Sequence, residues 1–103
     1  MIVDCITLLV SNIITQYSDQ RLQHDAARIE QEVVDEIKGL IDCTVQVQAN
    51  FIIVTNEVGL GLVPTGILGR LYRDFLGRAN QMLAQRADEV YLMAAGIPVL
   101  IKP

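Results

Sequence analysis

The 103-residue chain is short of basic side chains, of long apolar runs and of clustered cysteines, and each shortage closes off a class of function. Eight lysines and arginines stand against twelve aspartates and glutamates, so neither a basic nucleic-acid face nor a polybasic membrane anchor is expected. The longest apolar stretch, around ITLLVSNII, is interrupted by Ser11 and Asn12. It is too short to span a bilayer and follows no positively charged leader, which predicts a cytoplasmic protein without a membrane span. Cys5 and Cys43 form no C-x-x-C and no second pair, so reduced thiols are expected rather than a zinc site. The length suits one modest core and is short for separate cofactor and substrate lobes, so residues 1–103 read as one domain or part of one.

What is present is half hydrophobic and alternates between element types. MIVDC is a short apolar run ending in Asp4, and ITLLVSNIITQY is dense enough in apolar residues for either a buried helix or a continuing strand. From Leu22 the pattern is that of an amphipathic helix, with Leu22, Ala26, Ile29, Val33, Ile37 and Leu40 at three- and four-residue steps. FIIVTN has no polar alternation, as in a strand covered on both faces of a parallel sheet. Thr65 follows Pro64 at an N-cap position, and Leu68, Leu71, Tyr72, Phe75, Leu76, Ala79, Met82 and Leu83 form a second helical stripe. Gly66, Gly69 and Gly77 lie in or near that helix at a cost of about 1 kcal/mol each relative to alanine, which argues for a close backbone approach. EVYLMAAG and VLIK flank Gly96-Ile97-Pro98 as two strands about a tight turn. The order predicts an α/β layered fold: a mostly parallel sheet with flanking helices, closed at its edge by a C-terminal antiparallel hairpin.

In such sheets ligands gather at the carboxyl ends of the parallel strands, and Asp4 and Asn56-Glu57 occupy those ends. An acid closing an apolar run has two readings, a Mg²⁺ carboxylate of a nucleotide-hydrolysing fold or an N-cap for the helix that follows. In IVTNEVGLGLVP the glycines Gly59 and Gly61 permit a sharp turn beside a ligand, with Asn56 and Glu57 projecting polar groups from a strand end. The same two residues are equally suited to satisfying the loop's own backbone donors. His24 falls on the regular amphipathic helix and reads as an exposed helical histidine.

The segments VDCITLLVSN, VTNEVGLGLVP and GRLYRDFLGRANQMLAQRADEVYLMAAGIPVLIK together resemble the C-terminal part of the adenosylcobinamide kinase / adenosylcobinamide-phosphate guanylyltransferase family of cobalamin biosynthesis. The resemblance implies a P-loop α/β protein that phosphorylates adenosylcobinamide with GTP or ATP and Mg²⁺, then transfers GMP from GTP through a guanylylated histidine. It further implies a homotrimer. The sequence departs from that pattern in having no G-x-x-x-x-G-K-[ST] loop. In the family that loop and the histidine belong to an N-terminal portion without a counterpart here, so neither GTP, ATP nor Mg²⁺ is expected to bind this chain alone.

On this resemblance Asn56, Glu57, Gly59, Gly61 and Arg70 are the candidate nucleotide- or substrate-binding residues, Glu57 the candidate catalytic residue, and Asp4 the candidate Mg²⁺ ligand. Arg70, Arg73 and Arg78 offer positive charge toward a triphosphate or corrinoid amides. Arg73, Asp74, Asn80 and Gln81 read as structural or subunit-interface residues, the subunit contact resting on resemblance alone. Three outcomes fit: an enzyme portion inactive by itself, a non-catalytic module that oligomerises or binds a partner, and half of a split enzyme completed by a separate P-loop chain.

Overall fold

The apolar run ITLLVSNIITQY, open between helix and strand, becomes helix over Ile6–Ile14. The computed structural model describes residues 1–56 and 66–103. Strand β1 (Ile2–Asp4) leads into α1 (Ile6–Ile14), α2 (Asp19–His24) and α3 (Ala26–Gln46); β2 (Ile52–Val54), α4 (Ile67–Arg86), β3 (Val90–Ala94) and β4 (Ile97–Lys102) complete the described elements. In α1 the residues Ile6, Val10, Ile13 and Ile14 are buried, a one-sided set at helical spacing, while Leu8 and Asn12 face outward.

The helix expected from Leu22 onward is divided at Asp25, whose backbone (φ −114°, ψ 24°) leaves the helical range. The first piece has its own cap: the Ser18 hydroxyl oxygen accepts from the Arg21 N–H at 3.2 Å. The stripe survives the break, since Leu22 before it and Ile29, Val33 and Ile37 after it are all buried. In α4 the residues Phe75, Leu76, Ala79 and Leu83 turn inward onto the same core. Full burial of a side chain such as Phe75, Ile6 or Leu76 contributes roughly 1.5–3 kcal/mol.

Two expectations about α4 are corrected. Thr65 lies outside the described residues, and the N-cap position is held by Gly66 at φ 91°, a conformation in which a side chain is strained. A Cβ added at Gly77 would meet nothing within 4 Å among the described residues, so none of them needs the close approach expected there.

The strands depart further from expectation. β1 and β2 pair in parallel, Ile2 with Ile52, Val3 with Ile53 and Asp4 with Val54. Only Val3 and Ile53 reach the core; Ile2 and Ile52 remain 68% and 61% exposed, so these strands are covered on one face and not on both. The helical core supplies that one cover, and among the described residues the outward side chains Ile2, Ile52 and Val54 remain exposed.

The hairpin is a separate two-stranded sheet and not an edge of the parallel one. Its turn is Ala95-Gly96, both at positive φ (52° and 77°), the geometry of a two-residue hairpin turn. Ile97 and Pro98, expected in the turn, belong to β4, where proline is tolerated because the strand has a neighbour on one side only. Lys102 ties the hairpin to α4 by donating to the carbonyl oxygens of Ala84 and Gln85, both at 3.1 Å, which satisfies two carbonyls of the last helical turn.

Candidate functional site

Parallel pairing brings the carboxyl ends of β1 and β2 to the same place. Asp4 pairs with Val54, and Asn56 follows two residues beyond. The Asp4–Cys5 peptide is cis. Cys5, not Asp4, holds the N-cap position of α1, so the capping role open to Asp4 is not taken up; its carboxylate is left exposed at the strand end.

Three polar side chains fix the exit of β2. The Thr55 hydroxyl donates to Asn80 Oδ1 at 2.7 Å, Asn80 Nδ2 donates to the Asn56 carbonyl oxygen at 2.8 Å, and the Asn56 N–H donates to Thr7 Oγ1 at 3.3 Å. Thr7 belongs to the first turn of α1 and Asn80 to the middle of α4, so hydrogen bonds from two helices hold the strand end. The Thr7 hydroxyl, with the Leu8 amide, pulls the Cys5 thiol below its ordinary value. Burial pushes the neighbouring Tyr72 hydroxyl upward, and the Cys5 charge adds to that.

Of the candidates from sequence, the structure gathers Asp4 and Asn56 at one sheet end. Glu57, Gly59 and Gly61 lie outside the described residues. Arg70 is exposed in the first turn of α4, with its N–H donating to the Gly66 carbonyl at 3.3 Å. Arg73 and Asp74 pair with each other at 3.7 Å, and Arg78 and Gln81 are exposed. His24 is exposed at the end of α2. Thr7, Thr55 and the contact of Asn80 with the strand end were missed. Thr7 and Thr55 adjoin the acid and amide in sequence, but no spacing pattern reports that Asn80, twenty-five residues after Thr55, closes on them.

Among the described residues no group of three or more histidine, cysteine, aspartate or glutamate side chains converges as a metal cage. Asp4 as a lone exposed carboxylate suits Mg²⁺, which is commonly held by one or two protein carboxylates together with water and phosphate oxygens. Among the described residues an open groove of about 770 Å³ is lined by Leu9, Tyr17, Arg28, Glu32, Asp35 and other residues of α3, none of them at the strand ends. Its walls are fixed by the bond from the Tyr17 hydroxyl to Glu32, and it brings none of the candidate residues together. Among the described residues no helix is long and apolar enough to cross a membrane.

With the strand-end Asp4, Asn56 and the α4 motif placed, comparison with known proteins decides the family. The profile of cobinamide kinase / cobinamide phosphate guanyltransferase, CobU, matches residues 1–101. The chain belongs to this family. It is 42% identical to the bifunctional adenosylcobalamin biosynthesis protein CobU of Salmonella typhimurium and 39% identical to that of Escherichia coli, in each case over 99% of the chain and 58% of the relative. It is 34% identical to the CobP protein of the same description from Pseudomonas aeruginosa, over 99% of the chain and 53% of the relative. The chain thus spans a little over half the length of the curated CobU and CobP relatives it matches. The VDC, TNEVG and GRAN segments that carried the resemblance all fall within the matched range.

Proposed function

We propose that the chain supplies the acid-bearing strand and the strand-end turn of a cobinamide kinase and cobinamide-phosphate guanylyltransferase of cobalamin biosynthesis, and that it is inactive until a phosphate-binding segment joins it. The observation that carries this reading is the family match over residues 1–101 in a chain without a phosphate-loop motif. The parallel sheet is read as the C-terminal part of a P-loop fold, with its uncovered face and free edge taken up by the segment that carries the loop.

Within that assembly each residue has a role its chemistry allows. Asp4 is the residue that would hold Mg²⁺, directly or through water, and the ion would supply charge neutralisation for phosphoryl transfer. Glu57 and Asn56 orient the substrate hydroxyl or the nucleotide, and Gly59 and Gly61 let the backbone pass close to the ligand. Arg70 offers a guanidinium toward phosphate or corrinoid amide oxygens. The substrates are GTP or ATP and the adenosyl corrinoid, the guanylylated histidine comes from the joining segment, and the assembly is a cytoplasmic trimer. The single exposed His24 plays no part.

The test is complementation. The chain is mixed with the portion of the Salmonella relative that has no counterpart here, and phosphoryl transfer to cobinamide is followed. Activity is expected from the mixture and from neither part alone. Asp4→Asn should lower turnover roughly a hundredfold, since a Mg²⁺ carboxylate acts on charge in the transition state. Glu57→Gln should cost more than Glu89→Gln, because Glu89 accepts a bond from the Tyr91 hydroxyl at 2.8 Å in the hairpin. An active mixture indifferent to Asp4→Asn would remove the metal role.

A second reading, a module that only oligomerises, draws on the uncovered apolar strand faces. It predicts association of the chain with itself and no activity in any mixture.

A further inference from the structure

Asn80 sits mid-helix in α4, next to Ala79 and one turn before Leu83, both buried in the core. An amide is not what a helix interior selects for its own stability, since asparagine competes with the backbone for hydrogen bonds and ranks well below alanine and leucine. Here the amide is half-buried and reaches out of its own element to two successive residues at the exit of β2. Its oxygen accepts from the Thr55 hydroxyl and its nitrogen donates to the Asn56 carbonyl, a pairing that fixes both the plane and the sense of the group. From the opposite side, the Asn56 N–H is taken by Thr7 of α1. Asn56 therefore has both backbone polar groups engaged by helix side chains at a point where the parallel ladder has already ended.

We propose that Asn80 is a positioning residue: with Thr7 it holds the backbone of Asn56 so that the end of β2 is presented beside Asp4 at the end of β1. This goes beyond a structural or subunit-contact role for Asn80. The functional part rests on the proposed function, whereas the anchoring itself is independent of it. The sequence separation explains why the anchor is needed. A strand of three residues with one neighbour gives its exit little restraint, and a site on it must be held by surrounding side chains to keep its geometry.

Amide hydrogen exchange on the full 103-residue chain, resolved by NMR, tests the anchoring without any need for catalysis. Asn80→Ala should speed exchange of the Asn56 N–H roughly tenfold relative to amides of α3 in the same sample. Asn80→Asp has the same shape and still accepts from Thr55, but it lacks the donor to the Asn56 carbonyl; it should behave like alanine. Thr7→Ser should retain the protection that Thr7→Val loses. Asn56 exchange unchanged in Asn80→Ala, or wild-type protection in Asn80→Asp, overturns the proposal, because it reduces Asn80 to a space-filling residue. In the complemented enzyme, Asn80→Asp should lower kcat with little change in KM, and equal turnover overturns the positioning role. Absence of activity in the wild-type mixture counts against the proposed function and leaves the exchange result to decide the anchoring.

Discussion

The helices and the strands of this chain bury their apolar residues to very different extents. In α1, α3 and α4 the inward residues are closed off, Val10, Val33 and Ile37 among them at 0% exposure. In the strands, apolar side chains alternate between a core-facing set, Val3 and Ile53, and an outward set, Ile2, Ile52 and Val54, that nothing described covers. The hairpin is more open still, with Tyr91, Met93, Ile97, Val99 and Leu100 all exposed. The strands are the more apolar of the two regions and yet the more exposed, so what differs is the supply of neighbours. A helix finds its partners among the other helices of the same chain, whereas strands apolar on both faces need a layer on each side.

The sharpest way to break that contrast is to cut each region in turn. Phe75→Ala removes a ring that is 1% exposed and should cost about 3–5 kcal/mol, enough to unfold much of the chain in thermal or urea melts. Replacing Ile2, Ile52 and Val54 together by threonine should leave the melt nearly unchanged but weaken self-association by at least roughly tenfold in light scattering across a dilution series, because the open face and edge are what a second copy would cover. If the wild type stays a monomer at every concentration, the strands are closed by something within the chain and the contrast fails. Gly77→Ala, with no atom within 4 Å of the new Cβ, should stabilise by about 0.5–1 kcal/mol, and Gly39→Ala in α3 should do the same. A loss at Gly77 alone, in the complemented enzyme but not in the chain by itself, would locate the joining segment against that glycine. Smallest of all, Asp25→Asn breaks the exposed pair with Arg21 (2.9 Å) and should cost no more than about 0.5 kcal/mol, screened further by salt.

The legibility of the fold follows the same division. The stripes of α3 and α4 were readable because burial on one side repeats every three or four residues, and Leu22, Ile29, Val33, Phe75 and Leu83 fall on the core as the spacing requires. The break at Asp25 has no expression in the hydrophobic pattern, because the apolar stripe continues across it. Strand composition predicted burial on both faces, and Ile52 and Val54 are exposed instead, because composition states a preference and not whether a covering layer is at hand. For the site, a strand-end acid and amide were visible as Asp4 and Asn56. The grip of Thr7 and Asn80 on them is tertiary, made by residues tens of positions apart, and has no local pattern.

The central proposal is that the strand end beside the helical layer belongs to a nucleotide site that a phosphate-binding segment completes. GTP titration by calorimetry, in the presence of Mg²⁺, tests it most directly: first into the chain alone, then into the chain mixed with the segment of the Salmonella relative that it lacks. A phosphate cradle of backbone N–H groups and a lysine provides most of the anchoring for a triphosphate. The account predicts no measurable heat of binding with the chain alone and saturable, Mg²⁺-dependent binding with the mixture. Tight Mg²⁺-dependent binding to the chain by itself would contradict it.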